Sequence, residues 1–303
     1  MLEAIGNTPL VKLRNVVPPN CASIYVKLEY FNPTGSYKDR MALAIIEEAE
    51  KRGDLKKGMT VVECTGGSTG TSLAFVCAVK GYRFRVVSSD AFAKEKLQLI
   101  ALFGAELEIV PSLGGKVTPD LIPKMIVRAQ EIAGQGNAYW TKQFENTDAL
   151  KGYSLMGKEI LQQLDAPIDV FCAGVGTAGM FMGVAQELKK ANGSTKTVAL
   201  EPGSAPLLTK GTKGSHRVEG IGVGMVPPLL DKAMYDEAMA IEESAARNMA
   251  KLLASKEGLL AGTSTGLNVV AAIAIGQRLG PPHAVVTVAC DSGMKYLSGG
   301  LFN

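Results

Sequence analysis

The stretch Thr60-Val61-Val62-Glu63-Cys64-Thr65-Gly66-Gly67-Ser68-Thr69-Gly70 decides the fold, because an apolar, β-branched run passes directly into a glycine-rich turn. Thr60 to Glu63 reads as a buried strand, Cys64 to Gly70 as a loop, and Thr71 to Lys80 as an apolar helix closed by Gly81. Strand, glycine loop and helix in that order aim backbone N–H groups from a helix N-terminus, which makes an anion-binding unit.

Outward from this unit the same alternation continues. The strand Phe84 to Ser88, a helix from Ala93 to Phe103, the strand Leu107 to Val110 and a helix from Pro119 to Ala133 imply a parallel sheet. Toward the N-terminus, the turn Gly6-Asn7-Thr8-Pro9 precedes short strands at Leu10 to Leu13 and Ser23 to Glu29. Tyr139 to Asn146 breaks the rhythm and marks a domain crossover. A helix from Leu150 to Leu164 then leads to the strand Asp169 to Ala173 and a second glycine turn, Gly174-Val175-Gly176-Thr177-Ala178-Gly179. Further on come a helix to Lys190, the strand Thr197 to Glu201, a long Gly/Pro/Lys segment to Pro228 and a helix from Glu242 to Lys256. Gly262 to Gly266 opens another helix, and a last strand, Ala284 to Ala289, delivers Cys290-Asp291-Ser292-Gly293. The expected fold is α/β, with two domains whose mostly parallel twisted sheets are flanked by helices. Residues 35–143 form the smaller domain and 144–303 the larger, with 1–34 contributing to both.

Composition narrows the function. The chain has 303 residues, 47% of them hydrophobic, and a net charge of +3, so a well-buried core is expected and a nucleic-acid footprint is not. No apolar run reaches the roughly 18 residues of a membrane helix and no secretory leader pattern opens the sequence, which points to the cytosol. The five cysteines are scattered and never form a CxxC pair, and the two histidines, His216 and His283, lie far apart. Disulfide frameworks, metal clusters and serine-hydrolase triads therefore have little to build on. An enzyme of this composition hands its difficult chemistry to an organic cofactor, and its substrate is small.

One lysine fits that role. In Asn32-Pro33-Thr34-Gly35-Ser36-Tyr37-Lys38-Asp39-Arg40-Met41 the turn signals Asn-Pro and Thr-Gly, with Ser36 as N-cap, place Lys38 in the first turn of a helix running to Arg52. The positive end of the helix dipole disfavours an ammonium there and favours the neutral amine that Schiff-base chemistry needs. Taken alone, these ten residues also accommodate an exposed lysine paired with Asp39 or a later Glu. The loop Gly174-x-Gly176-x-x-Gly179, with Glu201 ending the next strand, equally matches a dinucleotide fingerprint, in which Glu201 would take a ribose hydroxyl. That reading makes the protein an NAD(P)-dependent oxidoreductase, but it leaves Lys38 and the first glycine loop without a role.

Eight segments in register resemble the cysteine synthase family of pyridoxal-phosphate enzymes, the fold-type II group. They are Gly6 to Leu10, the Lys38 motif, Glu63 to Gly70, Gln143-Phe144, Gly174 to Gly179, Glu219 to Gly224 with Gly262 to Gly266, and Asp291-Ser292-Gly293. The resemblance implies pyridoxal 5'-phosphate in an interdomain cleft, joined to Lys38 as an internal aldimine, with Lys38 also moving the substrate α-proton. It implies a phosphate held by Gly174, Gly176, Thr177, Ala178 and Gly179, and Ser292 against the pyridine nitrogen. Thr65, Gly66, Gly67, Ser68 and Thr69 would hold the substrate α-carboxylate, with Gln143 closing on it from across the cleft and Gly222 beside the substrate. No metal is implied; the substrate is a small amino acid, and relatives are usually homodimers.

The implied reaction is β-replacement on an O-activated L-serine through an aminoacrylate, with O-acetyl-L-serine and sulfide giving L-cysteine and acetate. A β-lyase, such as a cysteine desulfhydrase or serine/threonine dehydratase, is the alternative within the class. The chain departs from the family where Gly66 and Gly67 stand in place of Ser-Gly and Ser68 in place of Asn, so one carboxylate-binding hydroxyl is missing and Ser68 is too short for the cofactor's phenolic oxygen except through water. Ala178 and Met180 replace glycine and threonine in the phosphate loop, and Tyr37 replaces a smaller residue.

Overall fold

The computed structural model describes residues 1–115, 120–297 and 301. In chain order the strands are β1 (Leu10–Lys12), β2 (Ser23–Leu28), β3 (Thr60–Cys64), β4 (Arg83–Ser89), β5 (Glu106–Val110), β6 (Ala138–Trp140), β7 (Val170–Gly174), β8 (Lys196–Pro202), β9 (Glu237–Ile241) and β10 (Ala284–Ala289). The helices are α1 (Lys38–Arg52), α2 (Ser68–Lys80), α3 (Lys94–Leu102), α4 (Leu121–Gly134), α5 (Asp148–Gln163), α6 (Gly179–Ala191), α7 (Leu207–Lys210), α8 (Glu243–Leu252) and α9 (Thr263–Leu279). They fall into two compact units, Met1–Ile5 with Lys38–Ala149, and Gly6–Tyr37 with Leu150–Asn303. Among the described residues no helix is long and apolar enough to cross a membrane.

The first unit carries a parallel sheet in the order β5-β4-β3-β6. Strand alternation sorts its core into two layers. Val61 packs with Ala42, Ile46 and Leu73 of α1 and α2, whereas Val62 and Cys64 pack with Leu121, Met125 and Ala129 of α4. Met41, Ala42, Ile45, Ile46 and Ala49 recur at helical spacing along α1 and are buried, which is why this segment is a helix. Gly53 follows at φ +79°, the left-handed conformation that ends helices.

The second unit carries the sheet β1-β2-β10-β7-β8-β9, parallel except for β1, which runs antiparallel to β2. Its central strand β10 is buried at every residue, and α9 covers one face through Leu267, Val269, Ala271 and Ala272. Two sheets, both almost wholly parallel and flanked by helices, give the α/β architecture that the sequence implies.

Local differences have local reasons. The helix expected from Pro119 is α4, which begins at Leu121; Pro119 lies outside the described residues. At the start of the segment that breaks the rhythm, Ala138–Trp140 forms β6 against β3. The helix expected from Glu242 to Lys256 is α-helical only to Leu252 and then widens into a π turn, Leu253–Glu257, closed by Gly258 at φ +68°. Helix α1 begins at Lys38, so Tyr37 and not Ser36 precedes it, and the Ser36 hydroxyl instead donates to Asp291 Oδ1.

Candidate active site

In the first unit, Lys38 is the first residue of α1 and is buried, with 6% of its surface exposed. Strand β3 leads into the glycine loop, where Thr65 N–H donates to Val87 O at 3.0 Å and Gly67 N–H to the Thr65 hydroxyl at 3.2 Å. Helix α2 then starts at Ser68 with Gly67 as its N-cap, a residue with no side chain to cap it. The leading N–H groups of a helix have no partner within the helix, so this end is suited to an anion.

Gln143 lies in the same unit as this loop, not across from it. Its Oε1 accepts from the Thr69 hydroxyl at 2.8 Å, and its Nε2 donates to Cys64 O at 3.2 Å. A residue not singled out for any role fixes this arrangement. The Glu63 carboxylate accepts from the N–H of Cys64 at 2.7 Å, the hydroxyl of Thr141 at 2.6 Å and the N–H of Gln143 at 3.0 Å. Burial raises the Glu63 carboxyl above its ordinary value, against these donors, which pull it down. The signal in the sequence was an acid inside the apolar run Thr60 to Cys64. Thr65, Gly66, Gly67, Ser68, Thr69 and Gln143 are thus held in one place.

In the second unit, β7 ends in Gly174, whose N–H donates to Asn268 Oδ1 at 2.8 Å. Val175 is held between Leu200 O, which accepts its N–H, and Gly222 N–H, which donates to its carbonyl, both at 3.0 Å. Gly176 is compulsory here, since a Cβ would fall 2.1 Å from Gly220 O. Ala178, at φ +68°, adopts the left-handed conformation and caps α6 without a side-chain hydrogen bond. Residues 174–179 are all buried. A buried helix N-terminus whose N–H groups lack a side-chain cap calls for an anionic partner, and a phosphate group fits. The cradle therefore suits pyridoxal phosphate.

Phosphate alone would also suit a dinucleotide, but Glu201 removes that reading. Its carboxylate accepts from Leu208 N–H at 2.6 Å and from Thr209 N–H and hydroxyl at 2.8 and 2.7 Å. It caps α7 with both carboxylate oxygens, so its role here is to hold that helix.

At the end of β10, Ser292 N–H donates to Gly35 O at 2.9 Å, and its hydroxyl accepts from Met294 N–H at 3.3 Å while keeping its own proton to share. Asp291 faces elsewhere, toward Ser36 and the Tyr296 hydroxyl, as strand alternation requires. Asn268, a polar residue in the apolar α9, ties the two ends of this unit's site together. Beyond Gly174 it donates to Val288 O at 2.8 Å and Cys290 Sγ at 3.7 Å. His216 is half-buried. Val218 N–H donates to its Nδ1 at 3.2 Å, which leaves Nε2 to donate to Gly222 O at 2.8 Å.

A sequence profile described as pyridoxal-phosphate dependent enzyme matches residues 1–291. A cysteine synthase of Staphylococcus aureus (strain Mu50) is 42% identical over 303 residues, covering 99% of this chain and 96% of that protein. Among solved structures, O-acetyl serine sulfhydrylase isoform 3 from Entamoeba histolytica superposes with a TM-score of 0.93 at 33% identity, covering 99% of this chain and 90% of that one. A hydrogen sulfide-producing enzyme from Fusobacterium nucleatum superposes with a TM-score of 0.91 at 37% identity, covering 98% and 97%. With the lysine, the two glycine loops that open helices and Ser292 in the expected order, the chain belongs to the pyridoxal-phosphate dependent enzymes, in the cysteine synthase family.

Proposed function

We propose that this enzyme catalyses β-replacement on an O-activated L-serine, with O-acetyl-L-serine and sulfide as substrates and L-cysteine and acetate as products. The observation that carries this reading is the cluster of Thr65, Thr69 and Gln143 around the start of α2, where glycine is the N-cap, which offers hydroxyl, amide and N–H donors to an α-carboxylate. The 42% identity to a cysteine synthase supports the same reaction.

Bound pyridoxal phosphate supplies an electron sink for the substrate Cα, moderated because Ser292 offers its ring nitrogen a hydroxyl and not a carboxylate. The N–H groups of residues 176–179 and the Thr177 hydroxyl hold the phosphate. Lys38 Nζ removes the proton from the substrate Cα and later returns one there. Thr65, Thr69 and Gln143 orient the carboxylate so that the Cα proton faces Lys38. Gly222, fixed by His216, borders the substrate. Acetate leaves from Cβ, and sulfide takes its place on the same carbon.

The likeness to a hydrogen sulfide-producing enzyme favours a second reading, a β-lyase in which water ends the reaction in place of sulfide. Product analysis with O-acetyl-L-serine and sulfide separates the two: L-cysteine in proportion to acetate supports replacement, and pyruvate with ammonia supports the lyase. A cytosolic homodimer is the setting proposed for either.

A further inference from the structure

The glycine loop departs from its family at Gly66, and the structure gives a reason in this chain. A Cβ on Gly66 would lie 2.0 Å from Phe92 Cγ and 2.1 and 2.5 Å from Cδ2 and Cδ1. Gly66 is not among the glycines with positive φ, so its backbone would accept a side chain. The nearest obstacle to one is the Phe92 ring. The neighbouring Gly67 differs: a Cβ there would meet nothing within 4 Å.

Phe92 is a built wall and not a loose surface ring. Its N–H donates to Ser89 O at 3.2 Å, and the preceding Ala91 N–H donates to the Ser89 hydroxyl at 3.3 Å. Asp90 of the same turn accepts from Ser112 N–H at 2.7 Å. The ring packs on the cluster of Val62, Cys64 and Val87, the same layer from which the loop departs, and it stays partly exposed. One part of the ring therefore closes the loop at position 66 while another meets solvent.

We propose that Phe92 is a positioning residue for amino-acid binding: through Gly66 it fixes the carboxylate-binding loop and shields it from water, in place of a side-chain hydroxyl at position 66. This rests on the assignment of the loop to the α-carboxylate made above. The remaining donors, the Thr65 hydroxyl, Gln143 Nε2 and the N–H groups at the start of α2, then act in a less hydrated setting, where hydrogen bonds to a charge are stronger.

The test compares holoenzymes carrying Gly66→Ser, Phe92→Ala, Phe92→Leu and the double change Gly66→Ser/Phe92→Ala. The Michaelis constants for O-acetyl-L-serine and for sulfide are measured beside kcat and the melting temperature. Gly66→Ser forces the ring off the loop and is expected to raise the KM for the amino acid about tenfold, with the KM for sulfide unchanged. Phe92→Ala alone is expected to raise it about fivefold, and Phe92→Leu less, because water reaches the loop. The double variant is expected to bind the amino acid better than Gly66→Ser alone, since the clash is gone. A packing role alone would lower the melting temperature without moving one KM and sparing the other. The proposal is overturned if Gly66→Ser leaves the KM as it was, or if the two changes multiply independently. If the unaltered enzyme turns over L-cysteine and not O-acetyl-L-serine, the β-replacement assignment fails, and the same coupling is then judged with L-cysteine under the same criteria.

Discussion

The buried carboxylate of Glu63 accepts the backbone N–H of Gln143 at 3.0 Å, joining two segments 80 residues apart. Glu63 Oε1 holds Cys64 N–H on the near side, and Thr141 donates to Oε2 beside Gln143, so one side chain sets the spacing between the glycine loop and the glutamine facing it. Glu63→Gln keeps the volume but turns an NH2 group toward donors that need an acceptor. A loss of about 1–3 kcal/mol in urea unfolding is expected, with a raised KM for the amino acid and the cofactor retained.

Gly176 faces the backbone of Gly220 with no room for a methyl group, since the added Cβ would lie 2.1 Å from a carbonyl oxygen. Gly176→Ala must displace the loop or the Gly220 turn. We expect about 1–3 kcal/mol of destabilisation and loss of pyridoxal phosphate on gel filtration under conditions where the unaltered chain keeps it. Retention of cofactor at full stability would mean that the close approach is not needed.

The acid limb of stability should depend on Asp236. Partial burial would raise its carboxyl, but hydrogen bonds from Lys189 at 2.7 Å, Thr197 N–H at 2.9 Å and Lys196 at 3.0 Å outweigh this and hold it well below the ordinary 3.8. A depressed carboxyl stabilises the fold above its ordinary value, and that contribution is lost as pH falls from 3.8 toward the folded value. Asp236→Asn should therefore cost about 1 kcal/mol at neutral pH, with the gap to the unaltered chain closing below that point; urea midpoints taken across pH measure it.

The architecture was legible because strands such as Thr60 to Glu63 and Ala284 to Ala289 are β-branched and apolar, and because glycine turns stand where the helices start. Strand β9 was not legible: Glu-Ala-Met-Ala-Ile has little intrinsic strand preference and is held as a strand by pairing with β8. Lys38 and the Gly174 to Gly179 loop were readable, because local turn chemistry places them. Glu63, Asn268 and Phe92 were not, because each acts through a partner distant in sequence, Gln143, Gly174 and Gly66 respectively. Glu201 shows the reverse, a sequence fingerprint overruled by the N-terminus of α7, which the carboxylate caps.

The most direct measurement is the visible absorbance of the purified enzyme, loaded with pyridoxal phosphate, as O-acetyl-L-serine and then sulfide are added. Lys38→Ala serves as the comparison, with O-phospho-L-serine, L-serine, L-threonine and L-cysteine tested in parallel. The account predicts a lasting spectral change with O-acetyl-L-serine, reversed by sulfide as L-cysteine forms, and no turnover in Lys38→Ala. Normal turnover in that variant, or rapid return of the spectrum with pyruvate and ammonia released before sulfide is added, would contradict it.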